Sequence, residues 1–149
     1  MMGLKDDAMM LRSIIMDHYE YPRNHELTNE EGYVKKHMSS ASCIDDIEVQ
    51  LKMNDGKVED IRFEGTACTI ATSSTSIMSE LLKGKTPEEV KAIMDQYFGM
   101  INGQSFDEDV LQEAVAFCNV GQQANRIKCA TIGWRAIADL MGIEEYKDE

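Results

Sequence analysis

Apolar positions along the chain change their period several times, and each change marks an element. From residue 8 to 20, Met9, Ile14, Ile15 and His18 recur at helical spacing, and Pro22 ends that helix by pushing its predecessor off helical angles. Residues 23–42 are polar and read as loop, with room for a short edge strand. At 47–53 the period drops to two. Ile47, Val49, Leu51 and Met53 share one face, and Glu48, Gln50 and Lys52 the other. Asn54-Asp55-Gly56 predicts a hairpin turn and 57–64 the return strand, with Ile61 and Phe63 inward. Val58 falls out of register with them, so a bulge is expected beside it.

Helical spacing returns for about 69–83, where Gly84 stops a run whose first half, TIATSSTS, is small and polar. Thr86-Pro87-Glu88-Glu89 is a capping box with proline at the first helical position, opening a helix to about 97. Gly99–Gly103 reads as loop. Ser105-Phe106-Asp107-Glu108 looks like a second capping box, opening a helix to about 118, and 119–125 is a polar connection. The last helix is expected over 126–141, burying Ile127, Ala130, Trp134, Ile137, Ala138 and Met141, with Gly142 as its stop. A helix, a hairpin and then helices argue for an α+β fold with helices on one face of a small antiparallel sheet.

The 149 residues suit one domain, 1–149, with no repeat or linker dividing it. Residues 1–75 carry 8 basic and 14 acidic side chains and residues 76–149 carry 7 and 13, so each half contributes equally to the net −12. With no clustered lysine or arginine, a nucleic-acid partner or an anionic membrane surface is excluded. The first residues lack a signal peptide's apolar core, and no run approaches the ~20 apolar residues of a membrane span. A cytoplasmic location, where thiols stay reduced, is the expectation.

Four cysteines then need a role: Cys43, Cys68, Cys118 and Cys129. Cys43 precedes the first hairpin strand and Cys68 follows the second, so antiparallel pairing brings both to one edge. Cys129 is expected in the first turn of the last helix, after Arg126 and Lys128. Helix N-termini at Cys68 and Cys129 favour thiolates, which both ligate metal and act as nucleophiles. Three thiolates with Asp45 would complete a four-coordinate site. No C-x2-C pair is present, so separate buried thiols remain the alternative. Cys118 closes the stripe Leu111, Val115, Cys118 and reads as packing. Trp134 reads as core, His18 as a hydrogen-bonded structural histidine, and Met9, Met10 and Met16 as packing rather than a metal box.

Several segments together resemble one family, the iron–sulfur assembly proteins called IscU and SufU. They are His18-Tyr19-x-x-Pro22-Arg23-Asn24, Cys43-x-Asp45 before the hairpin, Phe63-Glu64-Gly65-x-x-Cys68 before a Ser-rich helix, and Arg126-Ile127-Lys128-Cys129-Ala130 with Trp134 behind it. The resemblance covers roughly residues 9–141 and is closest to the SufU branch. Cys68 and Cys129 lie 61 apart, which suits an insertion within about 92–125, a stretch without Lys or Arg. The scaffold branch is shorter there and has His where this chain has Lys128.

The resemblance implies a three-stranded antiparallel sheet with helices on one face. It implies a zinc ion held by Cys43, Asp45, Cys68 and Cys129, and persulfide sulfur accepted on Cys43 from a SufS-type cysteine desulfurase. Cys43 would loosen from the metal during that exchange. Other iron–sulfur assembly proteins are the further partners implied. Arg126 is either a surface charge of the first helical turn or a group that steers the persulfide. The alternative function is a scaffold holding a [2Fe–2S] cluster, and a third is a zinc that only stabilises the fold. One departure stands out: the family's Asn-Pro-x-Cys-Gly-Asp reads Ser40-Ala41-Ser42-Cys43-Ile44-Asp45 here. A β-branched residue is strained at positive φ, so a negative φ is expected at Ile44. Its bulk is placed to shield the site or to slow a partner's access.

Overall fold

The computed structural model describes residues 3–40 and 44–146. Three antiparallel strands, β1 (Tyr33–Ser39), β2 (Asp46–Asn54) and β3 (Lys57–Thr66), form a meander in the order β1-β2-β3. Five α-helices accompany them: α1 (Ala8–Glu20), α2 (Thr69–Leu81), α3 (Pro87–Ile101), α4 (Glu108–Leu111) and α5 (Ala124–Met141). This is the α+β arrangement expected.

The hairpin follows the alternation in the sequence. Val49 lies opposite Phe63 and Leu51 opposite Ile61, all essentially inaccessible to water. Asp55 and Gly56 both take positive φ in the turn. The register then jumps: Lys52 pairs with Asp60 but Met53 with Val58, leaving Glu59 as the extra residue of a bulge. The bulge rotates Val58 into the core and leaves Met53 exposed, so Met53 is not the inward residue its parity suggested. Gln50, expected outward, is buried because residues 24–28 cross that face, with Thr28 exchanging two hydrogen bonds with its amide. The same segment shields the outer edge of β3, where the Phe63 N–H donates to the Asn24 carbonyl.

Helices α2 and α5 lie against the sheet, α1 packs on α2, and α3 packs on α5. Every residue of α2 from Ala71 to Ser79 is buried. Its small side chains allow this, and most of their hydroxyls find partners: Ser73 Oγ donates to Thr69 O and Ser79 Oγ to Ser76 O, while Thr75 Oγ1 is the one buried side-chain oxygen or nitrogen without a partner among the described residues. The close contact with α5 is visible at Gly133, where a Cβ would come within 2.5 Å of Thr75 Oγ1. Trp134 is core as expected. It stacks on Tyr97 at 4.0 Å between ring centroids and donates its indole N–H to Ser74 Oγ. His18 is buried between Ser76 and Glu113, each ring nitrogen hydrogen-bonded, which is the structural role expected of it.

Four expectations are corrected. Residues 33–39, read as loop with room for a short edge strand, form a seven-residue edge strand; Lys35 and His37 are exposed, while Lys36, half-buried, turns the other way and pairs with Asp139 on α5. Helix α3 runs through Gly99 to Ile101, because burying Phe98, Met100 and Ile101 outweighs the helix cost of one glycine. The expected helix over 105–118 is only α4, capped by Asp107, followed by a 3-10 segment over Gln112–Phe117. Gln112 breaks the helix by turning to positive φ, and the segment after it packs Ala114–Phe117, all buried, against α1, α2 and α3. Finally, Met9, Met10 and Met16 are exposed rather than packed. Among the described residues, no helix is long and apolar enough to cross a membrane.

Candidate metal and thiol site

Antiparallel pairing puts the start of β2 beside the end of β3, and two of the proposed ligands sit at that edge. Asp45 immediately precedes β2 and is only 1% exposed. Cys68 is the N-cap of α2, and its sulfur accepts the Ala71 N–H at 3.4 Å. The backbone N–H of Cys68 donates to Asp45 Oδ1 at 2.8 Å, and Asp45 Oδ2 lies 3.9 Å from the Cys68 sulfur. Gly65 sets this meeting of strands. Its φ is +135°, and a Cβ there would sit 2.2 Å from the Asp46 carbonyl oxygen.

Cys129 arrives from α5 and is buried. The helix begins at Ala124, so Cys129 lies in its second turn rather than the first, with its sulfur 3.9 Å from the Asn125 carbonyl. The two sulfurs and an Asp45 oxygen all lie within 4.8 Å of one another. Cys43 lies outside the described residues. So does the expected φ at Ile44, which depends on the Cys43 carbonyl carbon. Ile44 itself is 65% exposed.

The electrostatics differ from the sequence expectation. The α2 N-terminus does favour a Cys68 thiolate, through the Ala71 N–H, and so does its contact with Cys129. Burial outweighs both and pushes the Cys68 thiol up, helped by the negative charge of Asp45. A half-buried thiol, a buried thiol and a buried carboxylate therefore converge. Such a set fits a zinc ion, whose charge reverses that balance and whose preferred ligands are sulfur and carboxylate oxygen.

Arg126 is exposed in the first turn of α5 and lines a cleft of about 560 Å³ that also has Cys68 in its wall. Lys128 is exposed and does not line it. Cys118 stands apart from the group, half-buried after the 3-10 segment, with burial pushing its thiol up. Asn125 and the α1 side of the cleft were not legible as site residues, since nothing in their spacing signals a neighbouring thiol.

Comparison with known proteins extends this picture. A family described as the NifU-like N terminal domain matches residues 10–149. The chain is 34% identical to the zinc-dependent sulfurtransferase SufU of Bacillus subtilis, over 91% of this chain and 92% of that one. It is 33% identical to the iron–sulfur cluster assembly scaffold protein IscU of Streptococcus pyogenes, over 93% and 86%. A crystal structure of a putative iron–sulfur cluster assembly scaffold protein for the SUF system, from Fervidobacterium islandicum, superposes with a TM-score of 0.72 at 30% identity, covering 85% of this chain and 92% of that one.

Proposed function

We propose, from the premise that the chain belongs to the NifU-like N-terminal domain family, that it serves iron–sulfur cluster assembly as a zinc-dependent sulfurtransferase. The observation that carries this reading is the convergence of Asp45, Cys68 and Cys129, in a chain 34% identical to a zinc-dependent sulfurtransferase. Cys43, Asp45, Cys68 and Cys129 are the ligands proposed. Zinc there supplies a redox-inert positive charge that keeps the thiols ionised at neutral pH.

Cys43 is the proposed acceptor. Its thiolate attacks the outer sulfur of a persulfide on a SufS-type cysteine desulfurase. The donor's S–S bond breaks, the outer sulfur passes to Cys43 as a new persulfide, and the donor cysteine departs as thiolate with no net oxidation. Arg126 borders the cleft that leads to Cys68 and is the group proposed to face the anionic sulfur. The work is assigned to the cytoplasm, and residues 92–125 to an insertion of the single domain.

The scaffold reading, in which the same ligands hold a [2Fe–2S] cluster, draws on the similarity to the S. pyogenes protein. Lys128 in place of the scaffold branch's His counts against it. One experiment separates the readings: metal content of freshly purified protein, with desulfurase turnover measured in its presence and absence. Stoichiometric zinc, faster turnover and a persulfide mapped to Cys43 support sulfur transfer. A coloured cluster passed to an apo-protein overturns it in favour of the scaffold. Zinc without faster turnover leaves the metal a purely structural role.

A further inference from the structure

The cleft beside the thiols runs against the charge of the chain. The sequence carries 27 acidic and 15 basic side chains, yet among the described residues no carboxylate lines this cleft. Its two charged residues are both arginines, Arg12 from α1 and Arg126 from α5. Both are exposed, and among the described residues neither guanidinium makes an ion pair or hydrogen bond. The other three arginines are all engaged: Arg23 with Asp17, Arg62 with Asp60, and Arg135 with Thr131. Leu11, Ile15, Met16 and Ile70 supply apolar wall to the same cleft, which Cys68 also lines.

An open apolar cleft with two uncommitted guanidiniums and a thiol in its wall fits a ligand with a short apolar stem and an anionic tip. A persulfide on a cysteine side chain has that form. We propose that Arg12 is a second positioning residue for sulfur transfer, drawing the persulfide-bearing segment of the donor into the cleft between α1 and α5. This rests on the sulfur-transfer reading above. In that step an acceptor thiolate and a donor persulfide anion exchange one sulfur, so two negative charges must meet. The acceptor S⁻ gains the outer sulfur, the donor S–S bond breaks, and its electron pair leaves on the donor's inner sulfur. Arg12 makes and breaks no bond; it offsets the repulsion of that approach, a task for a group whose charge is fixed at every relevant pH.

The test uses the zinc-loaded full chain with a cysteine desulfurase, comparing wild type with Arg12→Ala, Arg12→Lys and Lys57→Ala. The last removes one charge at the far hairpin turn. Arg12→Ala is expected to raise the KM for the chain about two- to fivefold at low salt, with kcat changed less. The difference should fade as KCl rises toward about 0.5 M, Arg12→Lys should recover most of it, and Lys57→Ala should leave KM alone. Equal KM values for Arg12→Ala and wild type, or an equal effect of Lys57→Ala, overturn the proposal.

A second measurement needs no partner. Cys68 is alkylated with anionic iodoacetate or neutral iodoacetamide after a chelator has removed any zinc and circular dichroism has shown the chain still folded, and is quantified by peptide mass. Both reagents consume the same thiolate, so the ratio of their rates reports the local field and cancels the thiol's acidity. Arg12→Ala should lower the iodoacetate-to-iodoacetamide ratio about two- to fivefold, and an unchanged ratio overturns the proposal. If wild type accepts no sulfur at all, the sulfur-transfer reading falls, while this ratio still decides whether Arg12 draws anions into the cleft.

Discussion

Asp45 holds Cys68 twice: its Oδ1 accepts the Cys68 backbone N–H at 2.8 Å, and its Oδ2 stands 3.9 Å from the Cys68 sulfur. One carboxylate thus fixes both the start of α2 and the spacing of the thiol it would ligate beside. Replacing it with alanine removes a charged acceptor from a buried N–H, a loss of roughly 1.5–3 kcal/mol. Asp45→Ala is expected to lower the urea midpoint measured in excess chelator, and to weaken zinc binding at least about tenfold in competition with a chromophoric chelator. Retention of wild-type zinc affinity would remove Asp45 from the ligand set.

The cysteines should divide. Cys68→Ala and Cys129→Ala are expected to release zinc, while Cys118→Ala keeps it and changes stability by less than about 1 kcal/mol, since Cys118 is half-buried and outside the group. Zinc content per chain after gel filtration, measured for all three variants, gives the answer.

Gly65 has no tolerable substitute. At φ +135°, with a Cβ 2.2 Å from the Asp46 carbonyl and 2.8 Å from the Ile47 Cα, Gly65→Ala must push β2 and β3 apart beside Asp45. A destabilisation of about 3 kcal/mol is expected by chemical denaturation, strain and clash combined. A loss below about 1 kcal/mol would contradict the described backbone.

Gln112 predicts the opposite sign. It joins α4 to the 3-10 segment at φ 51° and ψ −128°, a region that glycine occupies far more readily than glutamine. Gln112→Gly is expected to stabilise the protein by about 1 kcal/mol, the relief of strain exceeding the added freedom of the unfolded chain. Thermal denaturation of the two proteins side by side tests it.

Asp60 supplies a pH dependence. Burial pushes its carboxyl up. The hydrogen bonds from Tyr33 and Arg62 and the charges of Arg62 and Lys83 outweigh this and hold it below the usual carboxylate range. A lowered folded-state pKa adds stability above the unfolded value of about 3.9, lost as pH falls through the folded value. Wild type should therefore exceed Asp60→Asn in urea midpoint at pH 7, and the gap should close on acidification from about pH 5 to pH 2. A gap that is constant with pH would place the effect of Asp60 in packing rather than charge.

Legibility in the sequence followed how locally each signal was written. The alternation at Ile47, Val49 and Leu51, the Asp55-Gly56 turn and the Thr86–Glu89 capping box are properties of neighbours in sequence, and each appears as read. The strand β1 was hidden because its Lys35-Lys36-His37 serve an exposed edge, where polar residues say nothing of pairing. The helix expected over 105–118 failed because its apolar residues are buried from three sides at once, by α1, α2 and α3. At the site, the residue types of Asp45, Cys68 and Cys129 were readable. The burial that opposes their ionisation, and the place of Arg12 across the cleft, arise only when distant elements pack.

Asp45, Cys68 and Cys129 stand 23 and 61 positions apart along the chain, and their ligand atoms meet within 4.8 Å. An ion gripped at that point acts as a removable cross-link closing two loops. Closure entropy grows only with the logarithm of loop length, so the longer loop adds about 0.9 kcal/mol beyond the shorter. The number of bonds to the ion therefore outweighs the length of chain they span. Chelation then acts as a denaturant with a single point of attack, and the unfolding temperature becomes a readout of metal affinity.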